Sequence, residues 1–313
     1  MKHKILLAVD AGGTKTEYCI KFLSDGKVSR YLYGGSNYKS VGLEATQANL
    51  IESFLEICRK ENIRPSEVQR AVFGISGCDS EQDIQVYNQM ISRTGLHDKR
   101  ISLYNDCELA FQATTDAPGL CVVAGTGSNC MAFQVDKPIE RAGGWGAFLS
   151  DGGSGYWIAR YILEEMLLFS DGIGSNRAIY EKIACHFHIK NQLDIAACFT
   201  ALSVSEIASV ARVILDCAKD GDTYAQEVLH LAHVQLWNLA IALVKRMKYK
   251  QDEVLDVVLN GSLFRNTWFL ENFWQGLVRQ IENPLRQHLV ATNTTENAMR
   301  MAHKLYDIEN KQT

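Results

Sequence analysis

The fold is decided by LLAVDAGGTKTEYCI, residues 6–20. An apolar run over residues 5–9 suits a buried strand, and Asp10 ends it. Two glycines then permit a tight reversal, after which residues 16–20 resume an extended pattern rich in β-formers. The stretch therefore predicts a β-hairpin. It is not a P-loop, because there a lysine-bearing glycine-rich loop leads into a helix.

The tip of this hairpin has the chemistry of a phosphate site. Gly12 and Gly13 let the backbone approach an anion, Thr14 and main-chain N–H groups can donate to it, and Asp10 can hold a divalent cation through water. The alternative is an ordinary glycine turn, which the stretch alone does not exclude.

Length and composition predict two globular domains. At 313 residues, 47% of them hydrophobic, the chain exceeds the size at which one core stops growing. We expect function in a cleft between the domains. Four prolines and no low-complexity linker indicate that the chain crosses between domains inside compact structure.

Charge and hydropathy exclude two classes of partner. The net charge of −4 comes from 36 acidic and 32 basic residues, and the one basic cluster, residues 245–250, suits a solvated helix end rather than a nucleic-acid site. No stretch reaches the roughly 18 to 20 apolar residues that cross a bilayer. The N-terminal apolar run is interrupted by Asp10 too early for a signal peptide, so we expect a cytoplasmic protein with no membrane partner.

The cysteines and histidines do not predict a metal site. Nine cysteines, an odd number with no CxxC pair, favour reduced thiols in or near the core. His230 and His233 have helical spacing but lack a partner acid or thiol nearby.

Polar residues follow the predicted strands of the first half. Strands at 70–75 and 100–104 precede helices, and the carboxyl ends of such strands share the edge where ligands bind. Asp106 lies at such an end, where it could act as a general base, and it could equally be the N-cap of a helix over 107–115, since both roles can hold. Asn37 follows a strand at 27–33 and could face a substrate or only stabilise its turn.

The second half repeats the pattern of the first. An apolar strand at 119–124, a glycine turn with hydroxyls at 125–128 and an alternating segment at 129–135 echo the opening hairpin. Two similar domains could then hold a polyphosphate between their hairpin tips.

Three further segments complete the chain. The densest glycine region is RAGGWGAFLSDGGSGYWIAR, residues 141–160, in which Trp145 is either a core residue or a ligand contact. A strand at 255–259 ends in a glycine turn that could admit a purine. A helix over 294–307 ends the chain, with Thr294 or Thr295 as its cap.

Taken in order, these segments resemble the N-acetylglucosamine kinase family, in the BadF/BadG-type ATPase branch of the sugar kinase, actin and heat-shock chaperone ATPase superfamily. The motifs that carry the resemblance are VDAGGTKT (9–16), GGSN (34–37), YNDCELA (104–110), AGTGSNC (124–130), GGWG with SDGGSGYWIA (143–159) and VVLNGSLFRN (257–266). The AGTGSN and GGWG pieces are the most specific of them, because they point to the amino-sugar branch.

The resemblance implies an α/β protein with two ribonuclease-H-like, actin-like ATPase domains facing a central cleft. The first would cover residues 1–117, with the C-terminal helix, about 293–313, packing back on it. The second would cover residues 118–292 and carry helical insertions. The implied partners are an amino sugar and a nucleotide, without nucleic acid, and a homodimer is possible.

The resemblance also implies ATP-dependent phosphorylation of N-acetylglucosamine to its 6-phosphate, with ATP and Mg²⁺ as cofactors. Asp106 would take the proton of the sugar hydroxyl, and Asp10 would position Mg²⁺. The implied nucleotide-binding residues are Gly12, Gly13, Thr14, Lys15, Gly125, Thr126, Gly127, Gly261 and Ser262. The implied sugar-binding residues are Asn37, Asn105, Asn129, Gly144, Trp145 and Asp151.

The chain departs from the family pattern at two positions, and two other functions stay open. Gly152 stands where the family usually has glutamate, and Asn297 stands where a glycine commonly precedes the last helix.

One alternative function is an activator ATPase of the 2-hydroxyacyl-CoA dehydratase type, which would use Cys130 at an iron–sulfur cluster. The other is a non-catalytic sugar-sensing protein of the same fold.

Overall fold

The computed structural model describes residues 3–135, 137–290 and 293–311, and it divides into two compact units. Unit 1 comprises residues 1–115 and 292–313, and unit 2 comprises residues 116–291. Each unit contains a mixed five-stranded sheet with helices. The predicted α/β fold, with two similar halves, is confirmed.

The sheet of unit 1 is built around the opening hairpin. Its spatial order is β3-β2-β1-β4-β5, with β1 antiparallel to β2 and parallel to β4. The strands are β1 Ile5–Ala11, β2 Lys15–Phe22, β3 Val28–Gly34, β4 Val68–Ile75 and β5 Ile101–Tyr104. The helices of this stretch are α1 Tyr38–Val41, α2 Leu43–Gln47, α3 Ser53–Lys60, α4 Glu81–Ser92 and α5 Asp106–Gln112.

Unit 2 has the same topology with different insertions. Its order is β10-β9-β6-β7-β8, so β6 takes the central place of β1. The strands are β6 Gly119–Ala124, β7 Ser128–Phe133, β8 Glu140–Gly143, β9 Leu255–Asn260 and β10 Leu285–Leu289. The helices are α6 Gly155–Ser170, α7 Ala178–Phe187, α8 Gln192–Ala201, α9 Val204–Ala208, α10 Ala211–Lys219, α11 Thr223–Met247 and α12 Thr267–Gln280.

The last helix, α13 Thr294–Lys311, belongs to unit 1 and packs against β1, β4 and α5. Alternate residues of β1 supply two cores, because successive side chains of a strand point to opposite faces. Ile5, Leu7 and Val9 join one core, whereas Leu6 and Ala8 meet α5 and α13 in the other. Both faces of this sheet are therefore covered.

Helix α11 is, within the described ranges, the one helix long and apolar enough to cross a membrane by length and composition. It packs against β7, β8, α10 and α12, and it buries leucines such as Leu229, Leu236 and Leu243 completely. It is thus a core helix of unit 2. Lys245 and Arg246 lie in its last turn, so the prediction that the basic cluster is at a helix end is confirmed.

Several local predictions need correction. The sequence from Leu43 to Lys60 has an amphipathic pattern that predicts one helix, but the structure splits it into α2 and α3 by a π-helical segment, Ala48–Glu52, and α1 was not predicted. Strand β8 was also missed, because it is short and ends in the glycine-rich loop. The last helix is capped by Asn293 rather than Thr294 or Thr295, since the Asn293 side chain accepts from the Glu296 N–H at 2.9 Å.

Candidate functional site

The tip of the first hairpin is a closed turn with an accessible rim. The Gly12 N–H donates to the Lys15 carbonyl at 3.0 Å, and the Thr14 and Lys15 side chains are exposed. Loop 34–37 lies against the tip, because a Cβ on Gly35 would lie 2.2 Å from the Gly13 carbonyl oxygen. Gly35 is therefore required for this approach, and Thr14 and Lys15 remain free to meet an anion.

Asp10 lies in the sheet at the level where strands end. It is in register with Glu17 on β2 and with Gly74 on β4, and Gly74 is in register with Tyr104 on β5. Two strand spacings separate β1 from β5, which is about 10 Å. Asp106, two residues beyond Tyr104, therefore begins at the same sheet edge as Asp10.

The electrostatics of Asp10 suit a cation. Burial, with smaller contributions from the nearby carboxylates of Asp106 and Glu17, raises the pKa of its carboxyl to about 6. No group of three or more His, Cys, Asp or Glu side chains among the described residues could hold a metal by itself. Mg²⁺ usually keeps several waters and binds through one or two carboxylates plus phosphates, so a single carboxylate fits it.

Asp106 is the first residue of α5, and the cap of that helix is Asn105. The Asn105 Oδ1 accepts from the Cys107 N–H at 2.8 Å, so the alternative in which Asp106 is itself the N-cap is wrong. Burial raises the pKa of Asp106 to about 6, with a smaller contribution from the carboxylate of Asp79. An aspartate with this pKa is still ionised at neutral pH and can accept a proton.

Asn105 and Asn37 both have structural partners. The Asn105 side chain is buried and donates from Nδ2 to Asp79 Oδ1 at 2.5 Å. The Asn37 Oδ1 accepts from the Lys39 N–H at 3.0 Å and caps α1, so its turn-stabilising role is observed. A Cβ on Gly77 would lie 2.8 Å from Asn37 Nδ2, which brings loops 34–37 and 76–79 together.

The second glycine turn joins β6 to β7 and rests on the start of α6. The Gly125 N–H donates to the Gly127 carbonyl at 2.9 Å, and the Gly125 and Thr126 carbonyls accept from Gly155 and Tyr156 N–H groups at 2.8 and 3.2 Å. The Thr126 side chain is exposed, with its Oγ1 3.4 Å from Ser205 Oγ. The arrangement repeats that of Thr14 in unit 1.

A cavity of about 830 Å³ opens beside this second turn. Gly125, Thr126 and Ser262 line it, together with residues of α9 and α10. Gly261 has φ +115°, and a Cβ there would lie 2.3 Å from the Ala124 carbonyl oxygen, so only glycine lets β9 turn here. A volume of this size is typical of a small-molecule site.

The glycine-rich loop, residues 141–155, exposes an aromatic ring. Trp145 is 67% exposed, so the core alternative for this residue is wrong. The Arg141 guanidinium lies 4.4 Å from the centre of its ring, which is a cation–π contact. Phe148 and Leu149 in the same loop are also exposed.

Two buried oxygens near this loop have no protein partner. Asp151 is buried with φ +58°, and the backbone N–H groups of Gly146 and Ser128 bond to its carboxylate. Its Oδ1 and the Asn129 Oδ1 are both buried without a hydrogen-bond partner in the part of the chain described. Burial raises the pKa of Asp151. Such atoms are costly unless a ligand or water donates to them.

Gly127 and Gly144 allow the backbone to approach Asp151 and Asn129 closely. A Cβ on Gly127 would lie 2.6 Å from Asp151 Oδ2, and one on Gly144 would lie 2.9 Å from the Asn129 Cβ. The departure at Gly152 has a local explanation as well. A Cβ there would lie 2.8 Å from the Gln235 Oε1 of α11, so Gln235 occupies that space.

Most of the cysteines, and His233, are buried. Cys185 is exposed and the other cysteines are buried. Cys130 is completely buried and its pKa is raised well above the ordinary value, so it is not accessible as a cluster ligand. His233 is buried, and burial lowers its pKa to about 3.

Sequence reasoning missed three residues of these sites. Asp79 could have been found, because it lies four residues after the end of the predicted strand at 70–75, in the loop at the carboxyl edge of the sheet. Ser205 and Gln235 lie on helices α9 and α11, and no local pattern marks them as neighbours of glycine loops far away in sequence.

The chain matches one protein family and is similar to two kinases that act on amino sugars. Residues 7–292 match the model of the BadF/BadG/BcrA/BcrD ATPase family. An N-acetyl-D-glucosamine kinase of Dictyostelium discoideum is 25% identical over 273 residues, which cover 83% of this chain and 86% of the relative. An N-acetylmuramic acid/N-acetylglucosamine kinase of Clostridium acetobutylicum is 26% identical, covering 86% of this chain and 89% of the relative.

A solved structure agrees in fold. It is that of a candidate N-acetylglucosamine kinase from Chromobacterium violaceum, with a TM-score of 0.71 and 22% identity, covering 96% of this chain and all of the other.

Proposed function

Since the chain belongs to the BadF/BadG/BcrA/BcrD ATPase family, we propose that it is a sugar kinase that transfers the γ-phosphoryl group of ATP to the 6-hydroxyl of N-acetylglucosamine. The observation that carries the proposal is the repeated strand, glycine turn and strand, with an exposed threonine at each tip. Such turns present backbone N–H groups and hydroxyls to phosphates. The two relatives named for N-acetylglucosamine support the sugar.

The nucleotide is assigned to groups of both units. In unit 1, Gly12, Gly13, Thr14 and Lys15 would contact phosphate oxygens, and Asp10 would hold Mg²⁺. In unit 2, Gly125, Thr126 and Gly127 contact phosphates, while Gly261 and Ser262 border the 830 Å³ cavity that takes the adenosine. Bound Mg²⁺ supplies charge neutralisation on the phosphate oxygens.

The sugar is assigned to the polar atoms that lack partners. Sugar hydroxyl or amide hydrogens would donate to Asp151 Oδ1 and Asn129 Oδ1, which removes the cost of leaving these atoms unpaired. Trp145 offers an exposed ring to the apolar face of the sugar, and Gly144 leaves room beside Asn129. Asn37 and Asn105 complete the set from unit 1.

The transfer step needs a base and good positioning. The Asp106 carboxylate accepts the proton of the 6-hydroxyl as that oxygen bonds to the γ-phosphorus, and the bond to the bridging oxygen breaks so that ADP leaves with the electron pair. The raised pKa of Asp106 brings its basicity closer to neutral pH than that of an ordinary aspartate. Phosphoryl transfer otherwise depends on positioning and charge stabilisation.

A coupled ADP-release assay across N-acetylglucosamine, glucosamine, N-acetylmannosamine, N-acetylmuramic acid and glucose tests the proposal. We expect sugar-dependent ADP release that is fastest with N-acetylglucosamine. ADP release with none of the sugars, but binding of one of them in calorimetry, would instead identify a sugar-sensing protein. A faster reaction with glucose than with any N-acetylated sugar would contradict the substrate assignment.

A further inference from the structure

A second cavity, of about 700 Å³, lies in unit 2 along the groove between α11 and α12. Within the described residues it shares no lining side chain with the 830 Å³ cavity beside Thr126. None of the residues assigned above to nucleotide or sugar lines it. The cavity is therefore a separate feature of unit 2.

Two tryptophan rings form the walls of this cavity. The Trp237 Nε1 donates to the Phe273 carbonyl at 2.9 Å, which fixes the indole and satisfies its one polar group. Gly276 makes room for this ring, since a Cβ at that position would lie 2.0 Å from the indole. Trp268 is half-buried on the same side of α12. The walls are rigid, flat and apolar.

Among the described residues that line this cavity, His233 contributes the one buried side-chain polar atom without a hydrogen-bond partner. The residue is 1% exposed, and its ring stacks on Trp268 with centroids 6.3 Å apart and planes inclined by 21°. Its Nε2 is buried and has no hydrogen-bond partner among the side chains and backbone described. An unpaired buried nitrogen destabilises the protein, so a partner that enters the cavity is favoured.

The state of the ring defines what that partner must be. Burial keeps the ring neutral, with a pKa lowered to about 3, and a backbone hydrogen bond at Phe269 opposes this shift. A neutral imidazole has one nitrogen that donates and one that accepts a hydrogen bond, and a hydroxyl group can pair with either. A ligand with hydroxyl groups therefore satisfies Nε2.

The rim indicates a neutral, hydroxylated ligand. The side-chain amides of Gln226, Asn272 and Gln275 both donate and accept, as hydroxyl groups do. Glu227 and Arg279 carry opposite charges, so the rim has no net charge that would select an anion or a cation. Flat aromatic walls with polar groups at the edge are complementary to the apolar face and the hydroxyls of a sugar ring.

We propose that the groove between α11 and α12 is a second carbohydrate site, in which a neutral sugar stacks on Trp268, reaches the edge of the buried Trp237 ring and donates a hydroxyl hydrogen to His233 Nε2. The volume accommodates a disaccharide. The inference stands apart from the kinase reaction, because it uses none of the residues assigned to that reaction.

Fluorine NMR of protein labelled with fluorotryptophan tests this site directly. The chain has five tryptophans, and Trp→Phe variants assign their signals. Maltose, cellobiose and N,N′-diacetylchitobiose are titrated separately to about 10 mM, which detects millimolar affinity. We expect at least one of them to shift the Trp237 and Trp268 signals saturably. No shift of either signal with any of the three sugars would overturn the proposal.

Two variants distinguish the site from a general effect on the protein. His233→Phe keeps a ring but removes the acceptor, and it should weaken the binding about tenfold. Glu271→Gln, on an exposed position of α12 outside the cavity, should bind as the unaltered protein does. Unchanged affinity in His233→Phe would contradict the assignment.

The test of sugar binding in this groove is independent of the proposed kinase activity. His233→Phe and Gln275→Ala should both keep the sugar-dependent ADP release of the unaltered protein, which also shows that they fold. If His233→Phe does not fold, Gln275→Ala, at an exposed rim position, carries the test and should weaken binding several-fold. A sugar that shifts only the Trp145 signal binds at the glycine-rich loop, and that result would count against a second site.

Discussion

The Asn105 Nδ2 donates to Asp79 Oδ1 at 2.5 Å while the Asn105 Oδ1 accepts from the Cys107 N–H at 2.8 Å. One amide thus ties loop 76–79 to the first turn of α5, where Asp106 lies. The position of the proposed base is consequently fixed by a residue that also caps its helix.

Replacement of the base should remove most of the activity. We expect Asp106→Asn to lower kcat by about 10²- to 10⁴-fold, because the neutral amide accepts no proton from the sugar hydroxyl. The coupled ADP assay measures this. Glu108→Gln, two residues further along α5, is the matched control and should stay within a few-fold of the unaltered enzyme. Near-normal activity of Asp106→Asn would reject the base assignment.

The same substitution should stabilise the protein at alkaline pH. The folded-state pKa of Asp106, about 6, lies above the value of 3.8 for an unperturbed aspartate. The folded state therefore holds a proton more tightly, and this carboxyl costs stability progressively as pH rises from about 4 to about 6. We expect Asp106→Asn to be more stable than the unaltered protein by about 1–3 kcal/mol at pH 8, with a smaller difference at pH 4.

Urea unfolding at the two pH values measures this difference. Asp25→Asn, at an exposed position between β2 and β3, should show no such pH-dependent gain. If Asp106→Asn differed from the unaltered protein by the same free energy of unfolding at both pH values, the raised pKa of Asp106 would not be its cause.

Removal of the neighbouring charge should shift the pH profile. The Asp79 carboxylate raises the pKa of Asp106, so Asp79→Asn should lower that pKa and move the acid limb of kcat to lower pH. The profile of kcat between pH 5 and 8 checks this. Glu81→Gln, exposed at the start of α4, serves as the control for a general loss of negative charge. A shift of the acid limb of the kcat profile to higher pH would refute the effect of Asp79 on the pKa of Asp106.

The glycine turn after β9 should not tolerate a side chain. In Gly261→Ala a methyl group would lie 2.3 Å from the Ala124 carbonyl at φ +115°, so the turn must shift. We expect a higher KM for ATP and a loss of unfolding free energy of more than about 1 kcal/mol. Gly26→Ala has positive φ but open space around it, so it isolates the backbone contribution. Equal effects of the two substitutions would argue against a close approach at Gly261.

The unpaired carboxylate oxygen should set the affinity for the sugar. We expect Asp151→Ala to raise the KM for N-acetylglucosamine at least about tenfold while the KM for ATP changes little, because a hydrogen bond to a charged group contributes about 1.5–3 kcal/mol. Steady-state kinetics with each substrate varied in turn separates the two constants. Ser150→Ala, the adjacent loop position, is the control. A rise confined to the KM for ATP would place Asp151 elsewhere in the reaction.

The sequence was most informative where chemistry and periodicity coincide. The opening hairpin, the second turn at residues 125–127 and the strand before Gly261 could be located because an apolar run stops at glycine. Long-range packing carries no such signal. The interruption of the helix at Ala48–Glu52, the strand Glu140–Gly143 and the position of Gln235 beside Gly152 all depend on contacts between segments far apart in sequence.

Residues with two plausible roles needed coordinates to separate them. Trp145 could be core or surface by pattern alone, and its exposure decides between the two. For Asn37 the helix-capping contact is visible, but a cap does not preclude a sugar contact, so the substrate role of Asn37 stays a prediction. The roles of the other proposed site residues depend on the experiments above.

The register of the two sheets shows that the duplicated strand pairs have diverged in charge. Ala11 pairs with Thr16 in the first copy and Ala124 with Ser128 in the second, so Asp10 and Glu17 correspond to Val123 and Asn129. The acidic pair of one copy is thus an aliphatic residue and an amide in the other. The cation position proposed at Asp10 therefore has no acidic counterpart at Val123 in the second sheet. Exchange of Val123 for aspartate would test whether a carboxylate at that register adds a second cation position.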